Sequence, residues 1–177
     1  MRSLILVGGL LMSAGIAQAQ APGSALDLIA SGRMQMDDPL AQPYAICLTG
    51  EGQAEPVTAA FAALGFSAET DGEKGVSYLT RPGAPYYVEL YMDRAICVVA
   101  SEEIPMDEAL YTILTLAGTA GLEINYDADC PTLRIGSAIA TLSSTGQDPI
   151  CEPGDEDEDD IETSKLRVEF PDRLRAE

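Results

Sequence analysis

The chain has 177 residues, 29 acidic against 10 basic, for a formal net charge of −19, and it contains neither histidine nor tryptophan. That charge repels phosphate backbones and anionic lipid surfaces, which sets nucleic acid aside as a partner; the missing imidazole removes Ser-His-Asp and Cys-His catalysis and histidine-based zinc sites. Carboxylate-pair chemistry, lysine-assisted nucleophiles and carboxylate-bound calcium stay available.

Residues 1–19 carry the three parts of a secretory signal peptide: Arg2, an apolar run from Leu4 to Ile16, and the small-residue box Ala17-Gln18-Ala19. The run holds Gly8, Gly9 and Ser13 and falls short of the roughly 20 apolar residues of a spanning helix. No membrane span is expected, and no cysteine precedes Cys47 to carry lipoprotein acyl chains. The expected address is periplasmic or secreted. With Arg2 removed, 9 basic residues face 29 acidic ones, a net charge of −20. Basic proteins, cationic peptides and metal cations suit that field, although charge of this kind first of all keeps an exported protein in solution.

Residues 20–42 read as a loose N-terminal arm, because Pro22, Gly23, Gly32 and Pro39 interrupt its one apolar piece at 25–30. A single α+β domain over 43–171 is expected to follow. Tyr44-Ala45-Ile46-Cys47-Leu48, a continuous apolar run bounded by Gly50 and Gly52, predicts a buried strand. Val57, Ala60, Phe61 and Leu64 then recur at helical spacing, with Pro56 in the first turn and Gly65 in the capping position. Strands are predicted at 66–69, 76–80 and 86–92, the last two joined by Arg81-Pro82-Gly83-Ala84-Pro85.

The pattern then recurs. Ala95-Ile96-Cys97 echoes Ala45-Ile46-Cys47 at an offset of 50, and Pro105 precedes a second helix carrying Leu110, Ile113, Leu114 and Ala117, about two turns longer than the first. Gly121-Leu122 repeats Gly65-Phe66, and strands are predicted at 122–126, 132–135 and 138–142. The expected architecture is a mainly antiparallel sheet with two helices on one face, built either from two strand-helix-strand-strand halves or, if the short echo is coincidence, from unrelated segments. Residues 154–163 form an acidic loop between ordered parts, and Leu166, Val168 and Phe170 alternate as a closing strand.

Four cysteines, Cys47, Cys97, Cys130 and Cys151, lack the close pairing of a tetrathiolate metal site and predict two disulfides in an oxidising compartment. Three connectivities are open. Two related halves favour Cys47–Cys97 and Cys130–Cys151, the second closing around a hairpin.

The candidate binding residues are Tyr87, Glu89 and Tyr91, which share one face of a strand. If Val88 and Leu90 face the core, two tyrosines flank a carboxylate on the outside, a contact patch for a peptide or a sugar. Asp155, Asp157 and Asp159 have the alternate spacing of calcium ligands, without the glycine or the distal glutamate in register. Lys74 and Lys165 read as surface residues. No catalytic residue and no cofactor is assigned.

The segment Ala140-Thr141-Leu142-Ser143-Ser144-Thr145-Gly146-Gln147-Asp148-Pro149-Ile150-Cys151, followed by an insert and a closing strand, resembles the ends of small exported proteins of alphaproteobacteria, a group without an assigned function. The resemblance implies a Gram-negative periplasmic address and carries over no active site. The expected function is a non-catalytic binding or protein-interaction module whose partner is an envelope protein or peptide. The alternatives are a carboxylate-based hydrolase and a cation-sequestering envelope protein.

Overall fold

The computed structural model describes residues 22–91, 93–127, 132–143 and 163–171. Among these residues four helices and eight strands follow one another in the order α1 (Pro22–Ala30), α2 (Ala41–Thr49), α3 (Ala54–Ala63), β1 (Ser67–Asp71), β2 (Val76–Thr80), β3 (Tyr87–Tyr91), β4 (Ile96–Ser101), α4 (Met106–Thr119), β5 (Ile124–Asp127), β6 (Thr132–Ile135), β7 (Ala138–Ser143) and β8 (Ser164–Glu169). The strands form one sheet in the order β1-β2-β3-β4-β8-β7-β6-β5, and every neighbouring pair is antiparallel. The fold is α+β with an antiparallel sheet, as the sequence predicts.

Two local expectations are corrected. Residues 44–48 lie in a helix, not a strand. Within α2 Ala41, Pro43, Tyr44, Ala45, Ile46, Cys47 and Leu48 are all buried, because α2 packs against α1, α3, α4 and strand β4. Enclosed in this way, the helix keeps only Gln42 and Thr49, near its two ends, as polar positions, so its apolar residues run on between them without the 3.6-residue rhythm and imitate a buried strand. The loose arm is also corrected: α1 packs along α2 and buries Leu26 and Ile29, and the Gln42 side chain donates to the Ala30 carbonyl at 3.3 Å. Helices α2, α3 and α4 therefore pack on the sheet and α1 packs on α2, four helices rather than two among the described residues, and all four contribute to one core with Leu79, Val88, Leu90, Val99, Leu133, Leu142, Leu166 and Val168.

The repeat is real at a different level. Each half is a helix followed by a four-strand meander, α3-β1-β2-β3-β4 and α4-β5-β6-β7-β8, and the meanders meet at the β4–β8 pair. The helices end alike. The Phe66 N–H reaches back to the Phe61 carbonyl and the Leu122 N–H to that of Ala117, with Gly65 and Gly121 in the left-handed region at φ +84° and +65°. The Ala-Ile-Cys echo does not mark equivalent positions, since one copy is helix and the other strand. At 14 against 10 residues, α4 exceeds α3 by about one turn, not two.

Cys47 and Cys97 form a disulfide with their Cα atoms 5.6 Å apart, fastening the enclosed helix to a central strand. Residues 130 and 151, and the segment 1–19 in which the sequence predicts a signal peptide, lie outside the described residues. Near the disulfide the α2–α3 loop meets the β3–β4 turn: Gly52 sits at φ +66°, and a Cβ there would fall 2.4 Å from the Ala95 carbonyl oxygen, which also accepts the Phe170 N–H. Among the described residues no helix is long and apolar enough to cross a membrane.

The double substitution Cys47→Ala/Cys97→Ala is expected to lower stability by about 2–5 kcal/mol in urea denaturation. Gly52→Ala, which must move backbone, is expected to cost about 2–4 kcal/mol, whereas Gly72→Ala, with nothing within 4 Å of the new methyl, stays within about 0.5 kcal/mol of wild type.

Candidate functional site

Strand parity assigns the two faces of the sheet. Val88 and Leu90 enter the helical core, so Tyr87, Glu89 and Tyr91 project from the opposite face, all half-buried. The ladder sets their neighbours. One row reads Tyr78, Glu89, Val98, Arg167 and Thr141, a second Val76, Tyr91, Ile96, Glu169 and Ile139, and a third Tyr87, Ala100, Lys165 and Ser143. Val76, Ile96, Val98 and Ala100 are buried yet stand apart from the helical core, with Val98 1% and Ala100 0% exposed. Cross-strand and diagonal neighbours lie within reach of long side chains, and here these are Tyr78, Tyr87, Glu89, Tyr91, Lys165, Arg167 and Glu169. The face thus has an apolar floor on β4 beneath a layer of tyrosines and charges of both signs.

Polar contacts order that layer. The Tyr91 hydroxyl donates to Glu89 Oε2 at 3.1 Å, and Arg167 pairs with Glu169 two residues along the same strand. Burial pushes the Tyr87 phenol above its usual pKa, reinforced by Glu89 and Glu102. Burial also raises that of Tyr91, with the charge of Glu89 and the hydrogen bond to it adding to the shift and Arg167 opposing it. Both hydroxyls are therefore neutral donors at physiological pH. Tyr78, which no local pattern singles out, joins the group because the β2–β3 register places it opposite Glu89.

A second feature lies at the end of β2. A cleft of about 350 Å³ runs between the α1–α2 connection, with Met34, Met36 and Asp37, and Leu64, Arg81 and Tyr86. A neighbouring one of about 260 Å³ shares Arg81 and Tyr86 and adds Tyr87, Glu102 and Glu103. Arg81 Nη1 donates to the Leu64 carbonyl at 2.9 Å, just past the C-terminal end of α3, where a cation complements the helix dipole. Its guanidinium lies 4.9 Å from the centre of the Phe66 ring. Phe66 in turn stacks on Tyr86 at 5.4 Å and meets Phe61 edge-on at 5.3 Å. No local spacing in the sequence marks this group, which is assembled from a helix end, a turn and a strand entry.

Asp38 lines the larger cleft, but its contacts are structural. It accepts the Leu40 N–H ahead of α2 at 2.8 Å and the Thr112 hydroxyl of α4. The Tyr44 hydroxyl is buried and has no hydrogen-bond partner among the described residues, and burial, with Asp38 adding to it, raises its pKa strongly. Among the described residues no group of three or more potential ligand side chains is placed to hold a metal. Asp155, Asp157 and Asp159 lie outside the described residues, as do residues 144–151 of the segment that carries the alphaproteobacterial resemblance. No family model matches the chain, and neither do any curated protein or solved structure.

The raised phenols give stability a defined alkaline dependence. An unfolded tyrosine releases its proton near pH 10 while the buried one keeps it, so stability is full below about pH 10 and falls as the pH rises further. Tyr44→Phe is expected to hold stability at neutral pH level or raise it by up to about 1 kcal/mol, since it removes an unpartnered hydroxyl, and to make the decline above pH 10 shallower. Urea titrations at pH 7 and pH 11 measure both.

Proposed function

We propose that this protein is a non-catalytic binding module of the periplasm that engages a protein or peptide segment through the sheet face bearing Tyr78, Tyr87 and Tyr91. The observation that carries the reading is the construction of that face. Three half-buried phenols surround Glu89 above the buried floor of Val76, Ile96, Val98 and Ala100. Tyrosine supplies contact area at small entropic cost and keeps a hydroxyl to donate, which is why it is enriched where proteins bind one another. Glu89, which has no cationic partner among the described residues, favours, in a chain of such negative charge, a partner segment that contributes lysine or arginine. An extracytoplasmic home is supported by the Cys47–Cys97 disulfide, a bond that persists in oxidising compartments, together with the signal-peptide pattern of residues 1–19.

The test is site-specific photo-crosslinking in a Gram-negative cell that exports the full chain. A photoreactive residue at position 87 or 91 is expected to give a discrete adduct, and one at Tyr111, on the helical side and 70% exposed, is expected to give none. Tyr87→Ser combined with a probe at 91 should diminish the adduct. Equal labelling from 87, 91 and 111, or no adduct from any of them, overturns the reading.

A further inference from the structure

We propose that Arg81 is an anion-binding residue, and that the cleft it borders takes a small monocarboxylate with an apolar body. Three observations converge on it. A guanidinium carries five N–H donors, and the Arg81 contacts within the described residues are one hydrogen bond to the Leu64 carbonyl and the face of Phe66. Lys74, Arg94 and Arg167 each have a carboxylate partner; Arg81, like Arg33, Arg134 and Lys165, has none among the described residues, and of these four it is the one that lines the two clefts, where Asp37, Glu102 and Glu103 stand near it. Second, the group is held in place. Although Arg81 is exposed, its side chain is tied to the end of α3 and laid on an aromatic ring, so it has less freedom to lose on receiving an oxyanion than an untethered arginine, and a planar fork matches a carboxylate in geometry as well as charge.

The third observation is the cleft itself. Its volume of about 350 Å³ falls at the small end of ligand pockets, and Ile29, Met34, Met36, Leu64 and Tyr86 supply apolar wall beside the one cation. The two methionines are adaptable surfaces for an alkyl or aryl group. The acids around the rim select the charge of the ligand. A phosphate or dicarboxylate brings a second negative charge towards Asp37, Glu102 or Glu103, whereas one carboxylate satisfies Arg81 and leaves the rest of the ligand neutral. A free organic acid and the C-terminus of a peptide both present this chemistry.

The experiment is calorimetric titration of the full exported chain with hexanoate and 4-phenylbutyrate, their primary amides, and the tripeptide Ala-Ala-Phe with a free or an amidated C-terminus. At least one carboxylate is expected to bind saturably, with its amide about tenfold weaker or more, because the charge-assisted pair with Arg81 is lost. Selective binding of the free acids identifies a small-molecule site, and selective binding of the free tripeptide identifies a peptide C-terminus as the source of the carboxylate. Arg81→Gln is expected to weaken the bound ligand about tenfold or more, and Arg81→Lys to retain part of the affinity. Asp37→Asn/Glu102→Gln, which leaves Arg81 and its anchors in place, is expected to strengthen binding severalfold. No saturable binding of any carboxylate to the folded wild type at about 10 mM, amides binding as well as acids, or Arg81→Gln binding like wild type would overturn the proposal. None of these outcomes bears on the tyrosine face, which crosslinking tests separately.

Discussion

The fold is arranged around a helix that buries seven of its nine residues. Helix α2 lies between the other helices and strand β4, and the seven apolar or aromatic residues it buries give it little intrinsic amphipathicity to orient it. Its position is fixed from outside by three restraints of different kinds. Asp38 ties its start to Thr112 of α4, the disulfide ties Cys47 to Cys97, and beyond its end the close approach of Gly52 to Ala95 seats the next loop against the sheet. Covalent, polar and steric restraints thus act on one nine-residue element.

Because the helices crowd one face, the sheet is free to use the other. The antiparallel alternation that sends Cys97 and Val99 into the helical core sends Ile96, Val98 and Ala100 the opposite way, and on that side nothing larger than neighbouring tyrosines and charged chains is at hand among the described residues to cover them. A face built like this is intermediate between a core and a solvated surface. Its apolar floor is sheltered, its upper layer is polar at the tips, and of its charges Arg167 and Glu169 are already paired with each other before a partner removes water. The Arg81 cleft is a different sort of feature, since its rigidity comes from stacking and from a helix end.

Legibility in the sequence follows the reach of each signal. Seven of the eight strands sit close to where alternation and turn residues place them, and both capped helices, α3 and α4, are visible through their apolar spacing and the glycines after them. Helix α2 is not, because burial of seven of its nine residues erases the pattern by which a helix is recognised. Strand β4 comes from a similar apolar run, so such a run by itself does not separate helix from strand. Helix α1 escapes a local reading since it owes its existence to contact with α2. The side of β3 that carries Tyr87, Glu89 and Tyr91 is legible up to one binary choice, which the burial of Val88 resolves. Arg81, Phe66 and Tyr86 are not legible as a group, as only the tertiary fold brings a turn, a loop and a strand entry together.

The β4–β8 junction sets a schedule for maturation. Each meander is stitched from consecutive strands, yet the seam between them pairs Ile96 with Glu169, and β8 is the last element of the described chain. Until those final residues arrive, β4 and β7 both present bare backbone edges, and β4 is apolar on both of its sides. Synthesis from the N-terminus delivers β8 after both meanders, so their seam forms only once the strand that joins them has arrived.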